Sequence, residues 1–128
     1  MKLLLDTHIL IWAAAEPKRL SAKTRLMLED TANDLAFSVA SLWEIAIKTG
    51  GAGRQMPVNV ERLRTKLLAN GYAELNITGD HALAVQHLPP VHRDPFDRIL
   101  IAQARVEGMS LLTKDKRMIE YGAPVMKA

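Results

Sequence analysis

The sequence predicts an α/β fold of three layers, in which helices cover both faces of a mostly parallel central sheet. Short apolar runs that are typical of buried strands alternate along the chain with longer segments of helical periodicity. Residues that cap or end helices separate these segments. Because strands that alternate with helices are usually joined by crossover connections, the alternation favours a parallel sheet.

The predicted elements follow one another with short connections. Strands are predicted at residues 2–5, 35–39, 73–77 and 109–113. Helices are predicted at residues 9–15, 21–32, 41–48, 59–69, 78–88 and 94–107, followed by a helical turn at 116–120 and an apolar stretch at 124–126. Residues 50–57, which include three glycines and a proline, have the composition of a flexible connection. A chain of 128 residues with this organisation fits a single domain over residues 1–128.

The composition narrows the classes of function. The chain has no cysteine, which excludes disulfides, zinc–thiolate sites and thiol nucleophiles. Lys and Arg outnumber Asp and Glu by 17 to 14, and this basic balance favours a polyanionic partner, with improved solubility as an equally good explanation. No apolar run approaches the roughly 20 residues of a membrane span, and no signal-peptide cleavage site follows the apolar N-terminus. We therefore expect a soluble cytoplasmic protein that does not enter a membrane.

Four acidic residues lie where the predicted strands and helices meet. They are Asp6, Glu44, Asp97 and Asp115. In an α/β sheet, ligands collect outside the carboxyl ends of the strands, so we expect these side chains to converge there. Converging carboxylates repel one another unless a cation joins them, and hard divalent ions such as Mg²⁺ or Mn²⁺ prefer oxygen ligands. The pattern therefore predicts a divalent metal site.

Each of these acids, taken singly, also fits a structural role at a helix start. Asp94 and Asp97 occupy the N-cap and N3 positions of a helix whose first residue is a proline. Ser41 and Glu44 fit a capping box, and the two remaining acids could cap the helices that follow them. Capping alone does not explain why all four acids fall on one edge of the predicted sheet. Asp94 itself is interpreted first as a helix cap and second as a contact that supports the metal site.

Four sequence blocks carry these acids and span nearly the whole chain. They are LLDTH at 4–8, SVASLWEIAIK at 38–48, HRDPFDRILIAQA at 92–104 and LLTKD at 111–115. Together they resemble the signature blocks of the PIN domain family, most closely those of VapC-type toxins of type II toxin–antitoxin systems. The resemblance implies a Mg²⁺- or Mn²⁺-dependent endoribonuclease with Asp6, Glu44, Asp97 and Asp115 as its catalytic and metal-binding residues. It also implies an RNA substrate, a VapB-like antitoxin as partner and a homodimer.

Basic and hydroxyl residues that flank the acids are candidates for binding the substrate. Arg98, Lys114, Lys116 and Arg117 could hold RNA phosphates, with solvated surface charge as the alternative. Thr113 could orient a water or a ligand, with ordinary turn bonding as the alternative.

The two tryptophans lie on apolar helical stripes. Trp12 and Trp43 are therefore predicted to belong to the core, with a contact surface for a dimer or an antitoxin as the alternative.

Two further classes of function compete with the nuclease. A PIN-fold RNA-binding module without catalysis is the first, and the complete set of acids argues against it. An unrelated phosphotransfer or receiver domain is the second. That class requires paired acids at the end of the first strand, where this chain has only Asp6.

Overall fold

The computed structural model describes residues 1–50 and 58–128. Its strands are β1 Lys2–Leu5, β2 Asp34–Ser38, β3 Ala73–Leu75, β4 Ser110–Thr113 and β5 Val125–Lys127. Its helices are α1 Thr7–Ala15, α2 Ala22–Glu29, α3 Val39–Gly50, α4 Val60–Ala69, α5 Gly79–Ala84, α6 Pro95–Glu107 and α7 Lys116–Ile119, with 3₁₀ turns at Pro17–Arg19 and Val85–His87. None of the helices in these two ranges is both long and apolar enough to cross a bilayer. The flexible connection predicted at residues 50–57 lies outside the described residues, except for Gly50 at the end of α3.

The five strands form one sheet in the order β3-β2-β1-β4-β5, and every pairing is parallel. β1 is the central strand, with Leu4 paired to Ala36 on one side and to Leu111 on the other. Leu3, Leu4 and Leu5 are completely buried, as expected for a parallel strand that is covered on both faces. The predicted parallel sheet is confirmed, and the apolar stretch at residues 124–126 contributes a fifth, edge strand.

Two hydrophobic clusters lie on opposite faces of the sheet. Alternate β1 residues point to opposite faces, so Leu3 and Leu5 belong to one cluster and Leu4 to the other. The first cluster is completed mainly by α1 and α4, and the second by α6 and α7. Helices therefore cover both faces, which confirms the predicted three-layer α/β fold.

The strand order reverses direction between β1 and β4. The chain runs outward from β1 through β2 to β3 on one side, and then crosses to β4 and β5 on the other side. The carboxyl ends of β1 and β4 lie side by side, with Leu5 paired to Leu112, and the N–H of Asp6 donates to the Leu112 carbonyl at 2.9 Å. Such a switch point opens a crevice in which open α/β sheets bind their ligands.

Two details of α3 differ from the prediction. The helix begins at Val39, two residues earlier than expected, and the Ser38 hydroxyl accepts the N–H of Ala40 at 3.0 Å. The predicted capping box of Ser41 and Glu44 is therefore wrong, because both residues lie inside the helix. The prediction that Trp43 belongs to the core is also wrong, since Trp43 is 59% exposed.

Candidate active site

An acidic cleft of about 330 Å³ opens at the switch point between β1 and β4. The four acids predicted to converge all line it, together with Asp94. The complete lining is Asp6, His8, Ile9, Trp12, Glu44, Lys48, Asp94, Asp97, Lys114, Asp115 and Arg117. Five carboxylates and three cationic side chains thus share one small cleft.

Asp6 lies at the bottom of the acidic cleft, at the end of the central strand and at the N-cap of α1. Asp6 is only 5% exposed. Oδ1 accepts the Thr7 N–H at 2.7 Å, and Oδ2 accepts the Thr113 hydroxyl at 2.8 Å. Burial raises the pKa of the Asp6 carboxyl above its ordinary value, although these two hydrogen bonds oppose the shift. A charged Asp6 is therefore incompletely compensated by the protein itself.

Glu44 reaches the cleft from the second turn of α3. Its Oε1 accepts the Thr7 hydroxyl at 2.7 Å, and its Oε2 lies 2.6 Å from the Lys48 ammonium one turn further along the helix. The Thr7 hydroxyl is also 2.9 Å from the Ser41 hydroxyl. Burial opposes charging of Lys48, but its hydrogen bond and ion pair with Glu44 raise the pKa of the ammonium above its ordinary value. Lys48 therefore remains charged at the wall of the cleft.

Asp97 is contributed by the first turn of α6. Asp94 caps this helix, because its Oδ1 accepts the N–H groups of Phe96 at 2.9 Å and of Asp97 at 3.2 Å. The Asp97 carboxylate does not reach back to the cap; its Oδ2 lies 2.6 Å from His92 Nε2. Burial, followed by the charges of Asp6 and Asp94, raises the pKa of Asp97 to about 7, while His92 opposes the shift. The capping alternative thus applies to Asp94 and not to Asp97.

Asp115 and Thr113 join the site from β4 and the start of α7. Asp115 caps α7 by accepting the Arg117 N–H at 2.8 Å, and its side chain is 33% exposed. The Thr113 hydroxyl accepts the Asp115 N–H at 3.0 Å and donates to Asp6. Thr113 is completely buried, so it positions the two acids, and this differs from the substrate contact predicted for it.

Arg98 is bound within the protein. Its guanidinium donates to the carbonyls of Pro89 at 3.0 Å, His92 at 3.2 Å and Val85 at 3.2 Å, and to the Tyr121 hydroxyl at 3.1 Å. Arg98 does not contribute to the lining of the acidic cleft. The predicted phosphate contact does not fit this arrangement, in which Arg98 fastens the segment before α6 to the helix.

The other cations divide into two groups. Lys114 and Arg117 line the acidic cleft, whereas Lys116 lies at the start of α7 and is not part of the lining. Sequence reasoning missed Lys48, although its i, i+4 spacing from Glu44 is a usable signal.

His92 was also missed in the sequence. It precedes α6 in an irregular segment, where no periodicity indicates which way a side chain points. A ring nitrogen of His92 and carboxylate oxygens of Asp94 and Asp97 lie within 4.8 Å of one another. Within the described parts of the chain, this is the one group of three such side chains whose potential ligand atoms lie this close together.

The fold and the acidic cleft agree with the comparison to known protein families, in which the PIN domain matches residues 3–124. The chain belongs to the PIN domain family. Ribonuclease VapC22 of Mycobacterium tuberculosis (strain ATCC 25618 / H37Rv) is 33% identical to it over 122 residues, which cover 94% of this chain and 92% of that protein. The VapC-type relationship predicted from the four sequence blocks is therefore confirmed.

Solved structures with the same fold come from toxin–antitoxin complexes. VapBC2 from Rickettsia felis, bound to a DNA fragment from its promoter, matches with a TM-score of 0.70 and 16% identity over 100% of this chain and 98% of that chain. VapBC-1 from nontypeable Haemophilus influenzae matches with a TM-score of 0.67 and 17% identity over 100% and 97% of the two chains. At these identities the likeness shows the fold.

Proposed function

We propose that this protein is a divalent-metal-dependent endoribonuclease and the toxin of a toxin–antitoxin pair. The observation that carries the proposal is the gathering of five carboxylates, two of them with raised pKa values, in one cleft at the switch point. The relative from M. tuberculosis is named a ribonuclease, which supports RNA as the substrate class. A cytoplasmic location suits such a substrate.

The chemistry of the cleft fits Mg²⁺ or Mn²⁺. Its potential ligands are carboxylate oxygens, which these ions prefer, and the chain has no thiolate that would favour a softer metal. Asp6 and Asp97 are buried acids whose charged forms lack full compensation. We assign the metal to Asp6, Glu44, Asp97 and Asp115, as the family resemblance implies. When bound, the ion would lower the pKa of a water and polarise the scissile phosphate.

The protein's own residues would prepare the site for this reaction. Thr113 and Thr7 fix the carboxylates of Asp6 and Glu44 through their hydroxyl groups. His92 holds Asp97 in one orientation through the 2.6 Å contact. Such supporting hydrogen bonds orient metal ligands and increase their affinity for the ion.

Three cations at the cleft would position the RNA. Lys114 and Arg117 line the cleft from the β4–α7 connection, and Lys48 lines it from α3. An RNA backbone between them would place phosphate charges against ammonium and guanidinium groups while one phosphate enters among the acids. The three cations would thus attract the RNA backbone and offset its repulsion by the carboxylates.

A VapB-like antitoxin and a second copy of the chain are the proposed protein partners. The structures from R. felis and H. influenzae are both named as VapBC complexes, which supports an antitoxin. On α3, Trp43 is 59% exposed and Ile47 is 52% exposed, and exposed apolar residues of this size favour a protein contact. Light scattering would measure the oligomeric state, and a monomer at all concentrations would contradict the homodimer.

An RNA cleavage assay tests the proposed activity. The purified protein should cleave RNA with Mg²⁺ or Mn²⁺ and not with a chelator. Loss of a residue that only supports a metal ligand lowers metal affinity or activity about 10–100-fold. Asp6 and Asp97 are proposed as ligands themselves, so Asp6→Asn and Asp97→Asn should each lower the cleavage rate at least about 100-fold. Asp80→Asn, an exposed acid in the first turn of α5, is the matched control and should retain full activity.

Two results would contradict the proposal. Undiminished cleavage by both active-site variants would remove the acids from the reaction. A wild-type protein that binds RNA but cleaves it with neither metal would instead support the RNA-binding module without catalysis.

A further inference from the structure

One wall of the acidic cleft carries an aromatic ring surrounded by basic groups. Trp12 lines the cleft, and the His8 ring lies 6.0 Å from it, centroid to centroid. The Arg19 guanidinium carbon is 4.7 Å from the centroid of the indole, and the Lys114 ammonium is 5.4 Å from it. We call these four residues the Trp12 cluster.

Helix geometry, packing against the core and one hydrogen bond hold the Trp12 cluster in place. His8 and Trp12 are four residues apart on α1 and therefore lie on one face of this helix. Trp12 also packs against the hydrophobic core of its side of the sheet. The Lys114 ammonium donates to the Arg19 carbonyl at 3.0 Å, which links the Pro17–Arg19 turn to the residue that follows β4. Trp12 is thus partly buried against the core, while its basic neighbours His8, Arg19 and Lys114 are exposed.

Stability alone does not account for the Trp12 cluster. A cation over an aromatic ring contributes about 0.5–1 kcal/mol at an exposed site. The ion pair of Arg19 with Glu16 joins two side chains that are 59% and 56% exposed, and such pairs contribute little. The basic groups are therefore better explained by something that the cluster binds.

The position and chemistry of the Trp12 cluster match those of a single-stranded nucleic-acid site. Unpaired bases stack on aromatic rings and on arginine planes, while neighbouring cations hold the backbone. The cluster adjoins the carboxylates that would act on a phosphate, and Lys114 belongs to both. Trp and Arg are also enriched at protein interfaces, so a protein contact is the competing explanation that the experiments below must separate.

We propose that the Trp12 cluster is a stacking subsite for one unpaired base beside the scissile phosphate. Trp12 and Arg19 bind the base, and Lys114 binds an adjacent phosphate. The inference rests on the proposed ribonuclease function, since it extends the same cleft. It predicts that the enzyme prefers single-stranded RNA, because a base held in a duplex cannot reach the indole.

Tryptophan fluorescence tests this binding without requiring cleavage. The chain has two tryptophans, so Trp43→Phe leaves Trp12 as the sole indole and Trp12→Phe leaves Trp43. The probe is a single-stranded RNA of about 12 nucleotides, within the usual range for such sites, in the presence of a chelator. Binding should quench the protein that retains Trp12 and leave the fluorescence of the protein that retains Trp43 unchanged. The same RNA annealed to its complement should quench much less.

Steady-state kinetics provides the second test. Trp12→Leu should raise KM for the single-stranded RNA about tenfold with kcat nearly unchanged, because a stacked base contributes binding and not chemistry. Trp12→Phe should restore most of the affinity, since phenylalanine also stacks. Leu26→Ala, at an exposed apolar residue of α2 that does not line the cleft, is the control and should keep the wild-type KM.

The outcomes separate this inference from the proposed function. If the wild-type protein cleaves no RNA, the proposed function fails, and quenching of Trp12 by RNA still decides whether the subsite exists. Unchanged Trp12 fluorescence on RNA binding would overturn the subsite. So would a folded Trp12→Leu protein that binds RNA normally but loses affinity for an antitoxin peptide, since the cluster would then be a protein contact.

Discussion

At the scale of a single residue, the buried carboxyl of Asp97 shows why the acidic cleft favours a bound cation. Burial and the nearby carboxylates of Asp6 and Asp94 raise its pKa to about 7. Near neutral pH, its charged form therefore opposes folding of the metal-free protein. The same charge becomes favourable when a cation is bound. The carboxylate that destabilises the metal-free protein therefore contributes to the affinity for the metal.

Removal of this charge should stabilise the metal-free protein. A carboxyl group whose pKa is raised on folding binds more protons in the folded state, so its contribution to stability falls as pH rises from about 4 to about 7. Asp97→Asn should therefore raise Tm by several degrees at about pH 8 and by much less at about pH 5. Calorimetry with a chelator measures the difference.

The control for this experiment is Asp34→Asn, which replaces an exposed acid at the start of β2 and should leave Tm nearly unchanged. An Asp97→Asn protein with the same loss of Tm at both pH values would contradict the destabilising effect of the Asp97 charge. It would mean that the hydrogen bond with His92 outweighs the repulsion.

At the scale of elements, short hydrogen-bonded connections orient the site. The segment before α6 depends on Arg98, which donates to three carbonyls and one hydroxyl. One of these carbonyls belongs to His92, whose ring contacts Asp97. Arg98 therefore affects the site through the backbone of this segment.

Arg98→Lys tests that role. A lysine ammonium cannot reproduce the planar set of donors, so some of these carbonyls would lose their charged hydrogen-bond partner. Urea denaturation should show a loss of about 1–3 kcal/mol in the free energy of unfolding. Arg105→Lys, at an exposed position in the last turn of α6, should cost almost nothing. Equal stability of the two variants would contradict the role of Arg98 as a clamp.

Most elements could be predicted from the sequence because their signals are local. Asn59, Thr78 and Asp94 cap helices at the predicted positions, and Gly108 ends α6 with a φ of 66°. The start of α3 was missed because Ser38, at the end of β2, accepts the Ala40 N–H and lets the helix begin directly after the strand.

The partners of the cleft residues were harder to predict. His92 and Arg98 lie in or beside an irregular segment, where the contacts depend on how the chain returns to the sheet. Thr113 was predicted to face a ligand, but its contact with Asp6 joins residues 107 positions apart. Residue type therefore indicated which side chains could bind a metal or a phosphate. Which side chains hydrogen-bond to them depends on the tertiary fold.

At the scale of the whole molecule, the topology brings the acids together. Asp6 follows β1 and Asp115 follows β4, and these neighbouring strands form the switch point. Helices α3 and α6, which contribute Glu44 and Asp97, contact each other, and both line the cleft. Acids from four distant segments therefore line a single cleft in a protein whose net charge is +3.

Anomalous diffraction from crystals grown with Mn²⁺ would locate the proposed metal site. We expect a manganese peak in the acidic cleft, with carboxylate oxygens of Asp6 and Asp97 roughly 2 Å away. Asp97→Asn crystals should lose the peak under the same conditions. An ion held by His92, Asp94 and Asp97 without Asp6, or a cleft without a peak at saturating Mn²⁺, would contradict the proposed metal site.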